Sequence, residues 1–475
     1  MRTDATATVG DVVNKKRMTY TEFLDNQKMT KFLWFLVFGV IIAEILDGMD
    51  FQITAFALPG IIKEFKLNPA QAGVVSSIGN IGLMVGATVF SLLADRFGRK
   101  PMFTWVIFTF AVGSLLSAIA PSYNALLWAR FICGLGLGAE MPIGTTVLAE
   151  FAPRKHRHTF VIMVPLVWAI GFIVASVLSI AVVPTHGWRA IYWVGTAPVV
   201  FIVAVRFFLP ESVRWLISKG RVEEAAAITK NIARRAGMAD IELVPPVLSK
   251  DEVKLSFGRQ ISMLSAVRVP ALVIAFAYFG YFLQNWGIAA WLPTMFMRQG
   301  FDLMKSFTYT LISMLAIPIS QLLSGVVLQE KMNRKWALFI AGMGGTVFCV
   351  LFGISLQRHW SVQAIVTLKL LQTLVQQGTI AICMTLCAEL FPTPVRSLGS
   401  GFVQALGRFG AVLGPFILGL LLKIGVPISN VLYALSVPVV LASIVAVVGL
   451  KFDPRQRALE DISVSGKKAT IAAGH

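Results

Sequence analysis

Long apolar runs separated by short polar breaks dominate the chain. Twelve stretches approach or exceed the roughly 20 residues that a helix needs to cross a ~30 Å hydrocarbon layer. The first six run from Phe32 to Ile62, Ala72 to Ala94, Met102 to Ala120, Ala125 to Phe151, Phe160 to Val183 and Ala190 to Leu209. The second six run from Pro270 to Met297, Phe307 to Leu328, Trp336 to Leu356, Val362 to Phe391, Leu398 to Leu422 and Pro427 to Leu450. Lipid offers no partner to backbone N–H and C=O groups, so runs of this length predict helices. The one long polar interval, 210–269, divides them six and six. The expected organisation is a tail over 1–31, a bundle over 32–209, a linker over 210–269, a second bundle over 270–450 and a tail over 451–475. The Ala, Ile, Lys and Arg pattern of Pro210 to Gly237 predicts an amphipathic helix lying along the membrane face.

Composition supports a lipid-solvated, all-α polytopic protein. Of 475 residues, 56% are hydrophobic and only 14% charged, with mean hydropathy +0.74. The formal net charge of +18 raises the question of nucleic acid. Its distribution answers it. With the amino terminus inside, the inward segments hold 31 of the 42 Lys and Arg and the opposite loops 7. That is the positive-inside asymmetry, so both termini are expected in the cytoplasm and no nucleic-acid partner is implied. The first apolar run is too long for a cleaved signal. The four cysteines, Cys133, Cys349, Cys383 and Cys387, fall within predicted helices, which argues against a disulfide framework or a zinc site.

The two halves repeat. Asp95 to Lys100 corresponds to Glu330 to Lys335, and Ala149-Glu150 followed by Arg157 corresponds to Ala388-Glu389 followed by Arg396. The second match, carried back along the helix, pairs Arg130 with Lys369, so two intramembrane cations are expected at pseudo-symmetric positions.

Several of these motifs carry a family resemblance. ADRFGRK, ending at Lys100, and Arg130-xxx-Gly134-x-Gly136-x-Gly138 resemble motifs of the major facilitator superfamily. Asp47-Gly48-Met49-Asp50, Pro210-Glu211-Ser212-Val213-Arg214-Trp215 and ELFPTPVRSLGSGF leading to Gly407-Arg408 resemble the aromatic-acid/proton symporters and the related niacin and metabolite/proton carriers. The resemblance implies the major facilitator fold, two pseudo-symmetric six-helix bundles, in a multi-pass protein of the bacterial inner membrane. It also implies secondary transport without a cofactor, with a small organic anion and protons as partners and the monomer as the working unit. Asp95, Arg96, Arg99 and Lys100 would latch the cytoplasmic face, with Glu150, Glu389 and Arg396 at the matching helix ends.

Ionisable side chains in lipid cost at least a few kcal/mol and need a partner, water or a function. At 1.5 Å per residue, Asp47, Arg130, Lys369 and Arg408 share one depth, with Glu44 close by. Arg130, Lys369 and Arg408 are therefore candidate contacts for a carboxylate, which suits charge-assisted bonds from Arg and Lys. Trp168, Tyr281, Gln284, Asn285 and Gln372 are candidates for the rest of the substrate, with Tyr278, Trp286 and Trp291 near the same level. Asp47, Asp50 and Glu44 are candidates for proton coupling. Asp47 is expected to pair with Arg130, leaving Asp50 to titrate, and Glu140 is expected at the gate. Other readings of the same pattern are export of an organic cation or drug, a sugar-type facilitator, and a metabolite-sensing receptor. No nucleophile, base and orienter can be assembled into an enzyme.

Overall fold

In a computed structural model of the chain, described residues are 17–196, 200, 209–238, 241–245, 262–265, 267–324, 331–391 and 395–450, without the side chains of 158, 161, 162, 388, 396 and 397. A three-residue strand, β1 (Arg17–Thr19), leads into α1 (Tyr20–Asn26). The first bundle follows as α2 (Lys31–Phe65), α3 (Pro69–Phe97), α4 (Arg99–Ala118), α5 (Tyr123–Phe151) and α6 (Arg154–His186), with a short α7 (Trp188–Val194). The linker contributes α8 (Val213–Ser218), α9 (Val222–Arg235) and β2 (Glu242–Val244). The second bundle comprises α10 (Arg268–Arg298), α11 (Leu303–Leu323), α12 (Arg334–Gln357), α13 (Val362–Gln376), α14 (Gly378–Leu390), α15 (Arg396–Lys423) and α16 (Ile428–Gly449).

Among the described residues, 11 helices are long and apolar enough to cross a membrane, α13 and α14 counting as one span broken at Gln377. The expected sixth span, Ala190 to Leu209, and its Arg206 lie largely outside the described residues. Polar punctuation sets the helix starts. Asn68 accepts from Gln71 N while the Gln71 side chain accepts from Asn68 N, and Pro69 follows at the first helical position, where a missing N–H costs nothing. Ser122, Asp302, Asn333 and Ser361 cap α5, α11, α12 and α13 more simply, each side chain accepting from one backbone N–H of the first turn.

Small residues decide how the helices pack. A Cβ on Gly138 of α5 would land on the Leu83 carbonyl oxygen of α3, and one on Gly410 of α15 would land on the Phe279 carbonyl oxygen of α10. The first seam joins the second and fourth spans of its bundle and the second joins the first and fifth of the other, and both let backbones touch where lipid supplies no hydrophobic driving force. Large apolar side chains such as Trp34, Phe38, Leu92, Trp128, Ile424 and Val448 face outward around both bundles.

The linker departs from expectation in one respect. The apolar face of α9, with Ala225, Ile232 and Ala233, joins Tyr20, Phe23 and Leu24 of α1, Trp215 and Leu216 of α8, and Val147 and Phe151 of α5 in one core. It is thus spent on protein, capping the basic end of the first bundle. β1 pairs in parallel with β2, and Thr19 caps α1, its backbone N–H holding the Glu22 carboxyl below the usual carboxylate range.

At the end opposite the basic one the bundles close on each other. A Cβ on Gly73 of α3 would sit 2.8 Å from Pro415 O of α15, and Asn80 Nδ2 donates to Ala411 O at 3.1 Å. Phe51 meets Trp286 edge-on at 4.5 Å and Phe56 meets Phe307 at 4.9 Å, joining α2 to α10 and α11. Towards the basic end α3 and α15 separate around a vestibule of about 500 Å³, lined by Ala87, Ser91, Asp95, Thr146, Gln404 and Arg408 among others. The chain therefore stands open at its basic end and shut at the other.

Candidate substrate site between the bundles

Arg130, about two turns into α5, is almost fully buried. Its Nη2 donates to Asp50 Oδ2 at 3.0 Å, its Nη1 approaches Cys133 Sγ at 3.4 Å, and its guanidinium lies over the Tyr192 ring at 5.2 Å. Cys133 Sγ donates to the same Asp50 oxygen at 3.2 Å. The expected pairing is thus reversed: Arg130 takes Asp50, and Asp47 lies outside the pair. The two aspartates are one turn apart on α2, and the rotation of that helix against α5 selects between them.

Asp47 instead looks into a central cavity of about 90 Å³ with Arg408 on its other side. The two charges are within electrostatic reach, yet no ion pair joins them among the described residues. Five aromatic side chains contribute to the remaining wall, Phe51, Trp168, Tyr278, Phe282 and Trp286, beside aliphatic and amide side chains. Trp168 and Trp286 approach edge-on at 5.8 Å, and Tyr278 stacks on Phe282 at 4.9 Å. Among the described residues the Trp286 Nε1–H has no hydrogen-bond partner, and that of Trp168 points at Asp47 without reaching hydrogen-bond geometry. Gln321, Gln377 and Gln404 add polar edges, and Gln321 Oε1 is unpartnered. Gln404 and Arg408 line both this cavity and the vestibule, so they mark the way from one to the other. An aromatic box with one guanidinium and one carboxylate can enclose a flat ring and hold its acid group.

The other candidates lie elsewhere. Lys369 is buried, but its Nζ donates to Gln372 Oε1 at 2.5 Å and to Thr373 Oγ1 at 2.9 Å. From there a chain runs through Gln372, Gln376 and Gln284 to Ser436 Oγ, the last step 2.6 Å. Lys369, Gln284 and Gln372 thus form a polar seam inside the second bundle and do not line the central cavity. Tyr281 is one layer behind it, donating to Gln377 Oε1 at 2.7 Å. Asn285 is buried beside Gln284 and does not line the cavity, and Trp291 donates to Pro415 O at the closed end. Arg130 borders a smaller cavity of about 40 Å³ behind Phe51. Glu44 and Glu140 are both buried in the first bundle, and for Glu140 this replaces the expected place at the gate.

At the basic end the repeat is visible as geometry. Arg334 donates to both Glu389 oxygens at 2.8 and 3.2 Å, and Arg99 faces Glu150 at 3.7 Å. Each pair joins the start of one helix to the end of the next span. Asp95, expected to pair across the gate, is exposed and bonds Arg99 in its own turn at 2.6 Å. Arg96 lies over Phe97, and the side chain of Arg396 lies outside the described residues. The residue that sequence reasoning missed is Glu211. Its Oε1 accepts from Arg99 N at 2.8 Å, Ser212 N at 2.9 Å and Lys100 N at 3.4 Å, anchoring the linker to the start of α4. Gly98, at φ +111°, leaves the space this carboxylate fills. Asp25 was missed likewise; it accepts from Arg214 at 2.6 Å and from Arg157. Among the described residues no group of three or more His, Cys, Asp and Glu is placed to hold a metal ion.

Paired bundles around a charged, aromatic central cavity define a polytopic membrane transporter of the alternating-access type. The chain belongs to the sugar (and other) transporter family, whose profile matches residues 6–460. It is 32% identical to the niacin transporter NiaP of Acinetobacter baylyi, over 83% of this chain and 88% of that protein. It is 28% identical to the 4-hydroxybenzoate transporter PcaK of Pseudomonas aeruginosa, over 90% and 95%. Its fold matches the inward-open xylose transporter XylE from E. coli with a TM-score of 0.72, covering 91% of this chain and 99% of that one at 16% identity.

Proposed function

We propose that the protein takes up a small aromatic or related carboxylate together with a proton, as a monomer in a bacterial inner membrane. The observation that carries this reading is that Asp47 and Arg408 face one aromatic-walled cavity without touching. A carboxylate bound to Arg408 would meet repulsion from an ionised Asp47. Protonating Asp47 relieves that repulsion, so substrate and proton favour each other's binding. The loaded cavity then carries less net charge, and the bundles can rock about it. Asp50, held by Arg130, serves as a fixed joint between α2 and α5. The gathering of Arg99, Arg157, Arg214 and Arg334 at the open end supports a cytoplasmic placement of that end and of both termini.

Relatives named for niacin and 4-hydroxybenzoate support a ring-bearing acid as substrate. The test is uptake of labelled nicotinate, benzoate and 4-hydroxybenzoate, and of the matching amides, into proteoliposomes with and without an imposed pH gradient. Accumulation of an acid driven by the gradient is the expected result. Accumulation of the amide instead, or no dependence on the gradient for any acid, refutes it.

A further inference from the structure

Four carboxylates lie buried inside the first bundle: Glu44, Asp47, Asp50 and Glu140. Two have cationic counterparts, Asp50 in Arg130 and Asp47 in Arg408 across the cavity. Glu44 and Glu140 have none among the described residues. Among the described residues neither oxygen of Glu44, itself 1% exposed, has a hydrogen-bond partner, nor does Oε2 of Glu140, 2% exposed. Their placement is specific. A Cβ on Gly144 of α5 would sit 2.9 Å from Glu44 Oε1, so that glycine admits the carboxyl against α5. Glu140 is one turn before Gly144 and so presents its side chain to the same seam. The Glu44 carboxyl also borders a 10 Å³ void whose other walls are apolar, with Phe160, Met163, Val164 and Val167 coming from α6. The titratable groups that act on the pair are Asp47 and Asp50 on α2; Arg130 and Cys133 on α5 and Arg408 on α15 act on those aspartates in turn. Among the described residues no lysine or histidine acts on the pair.

We propose that Glu44 and Glu140 form a second proton-binding site, sharing one proton that travels with the substrate. A protonated carboxyl carries its own donor, and an ionised one accepts it, so one proton satisfies both side chains where two charges could not coexist. The place of the pair suits passage of that proton. α2 runs away from the basic end, so Glu44 lies about 4.5 Å nearer that end than Asp47, and Glu140 is roughly 16 Å from it at 1.5 Å per residue. The site thus stands between the cavity acid and the vestibule side. With Asp47 taking one proton and the glutamates another, each monovalent carboxylate would enter with two protons and one net positive charge.

This inference rests on proton-coupled uptake, but its first readout does not. Infrared difference spectra of the purified protein, taken across a pH titration in H₂O and D₂O, report protonated carboxyls whether or not any substrate moves. Glu44→Gln and Glu140→Gln should each remove the same single protonated-carboxyl signal, which Asp47→Asn should leave in place. Glu140→Asp, which keeps the acid, should shift the signal and retain it. The second readout is the reversal potential of labelled benzoate in proteoliposomes. It should give two protons per benzoate for the native protein and one for either glutamine variant. An unchanged infrared signal in both glutamine variants overturns the site, and an unchanged ratio overturns its part in transport. A carrier that moves no acid while the shared signal behaves as stated would refute the uptake reading and leave the site standing.

Discussion

Arg130 pairs with Asp50, its Nη2 lying 3.0 Å from Asp50 Oδ2, and leaves Asp47, one turn away on the same helix as Asp50, outside the pair. Both partners are buried, so each holds the other's charge where no water can. Removing one partner of such a pair costs about 3–5 kcal/mol, because the survivor is left uncompensated. Asp50→Asn and Arg130→Gln should each lower the melting temperature of the detergent-solubilised protein sharply, and the double variant should recover part of the loss. Asp47→Asn should change it little. A drop with Asp47→Asn as large as that with Asp50→Asn would return the pairing to Asp47.

Arg408 is the cation of the central cavity, and its loss should be read in the substrate's acid group. A charge-assisted bond is worth about 1.5–3 kcal/mol, so Arg408→Gln should weaken carboxylate binding roughly 10- to 100-fold. The matching amide should bind almost as before. Arg408→Lys keeps the charge but not the two-pronged geometry, and should fall between. Equilibrium binding of acid and amide to the purified variants checks this.

Asp47→Asn keeps the shape of the cavity acid and removes its titration. Accumulation against a gradient should fail, while exchange of labelled for unlabelled substrate persists. The measurement is counterflow beside net uptake in the same vesicles; accumulation that survives the change would exclude Asp47 as the coupling acid.

Lys369 bonds Gln372 and Thr373 within the second bundle. Lys369→Gln should therefore leave acid and amide affinities unchanged within error. A selective loss for the acid would bring this lysine into the site.

Glu211 accepts from the backbone at the start of α4, a service worth about 1 kcal/mol at a helix terminus. Glu211→Ala should slow exchange while leaving equilibrium affinity intact, since it loosens the linker's hold on α4 far from the cavity. A changed affinity with normal exchange would contradict that role.

Much of this could be seen in the sequence. Apolar run length marked eleven of the spans seen among the described residues, the repeat matched Glu150 to Glu389 and the segment holding Arg99 to that holding Arg334 without foreseeing the ion pairs between them, and depth put Arg408 near Asp47. Depth could not choose between Asp47 and Asp50. They differ by one turn, and the choice depends on how α2 is rotated against α5, which Gly48 and its contacts on α6 determine through packing. Pseudo-symmetry placed Lys369 opposite Arg130 but said nothing of its neighbours: the first bundle supplies an acid there, the second a row of glutamines. Glu140 was misplaced because a residue 11 positions from a helix end reads as near the surface, whereas it is buried inside the first bundle.

The parallel pairing of β1 with β2 ties residues far apart in the chain, Arg17 meeting Glu242 at 2.9 Å. During synthesis the amino-terminal tail must wait for some 225 further residues before its partner strand leaves the ribosome. In chain order the described helices α2 to α7 of the first bundle precede this partner strand, and α10 to α16 of the second follow it. The ladder thus fastens the tail to the linker on the first bundle's side of the chain, and the second bundle takes no part in it.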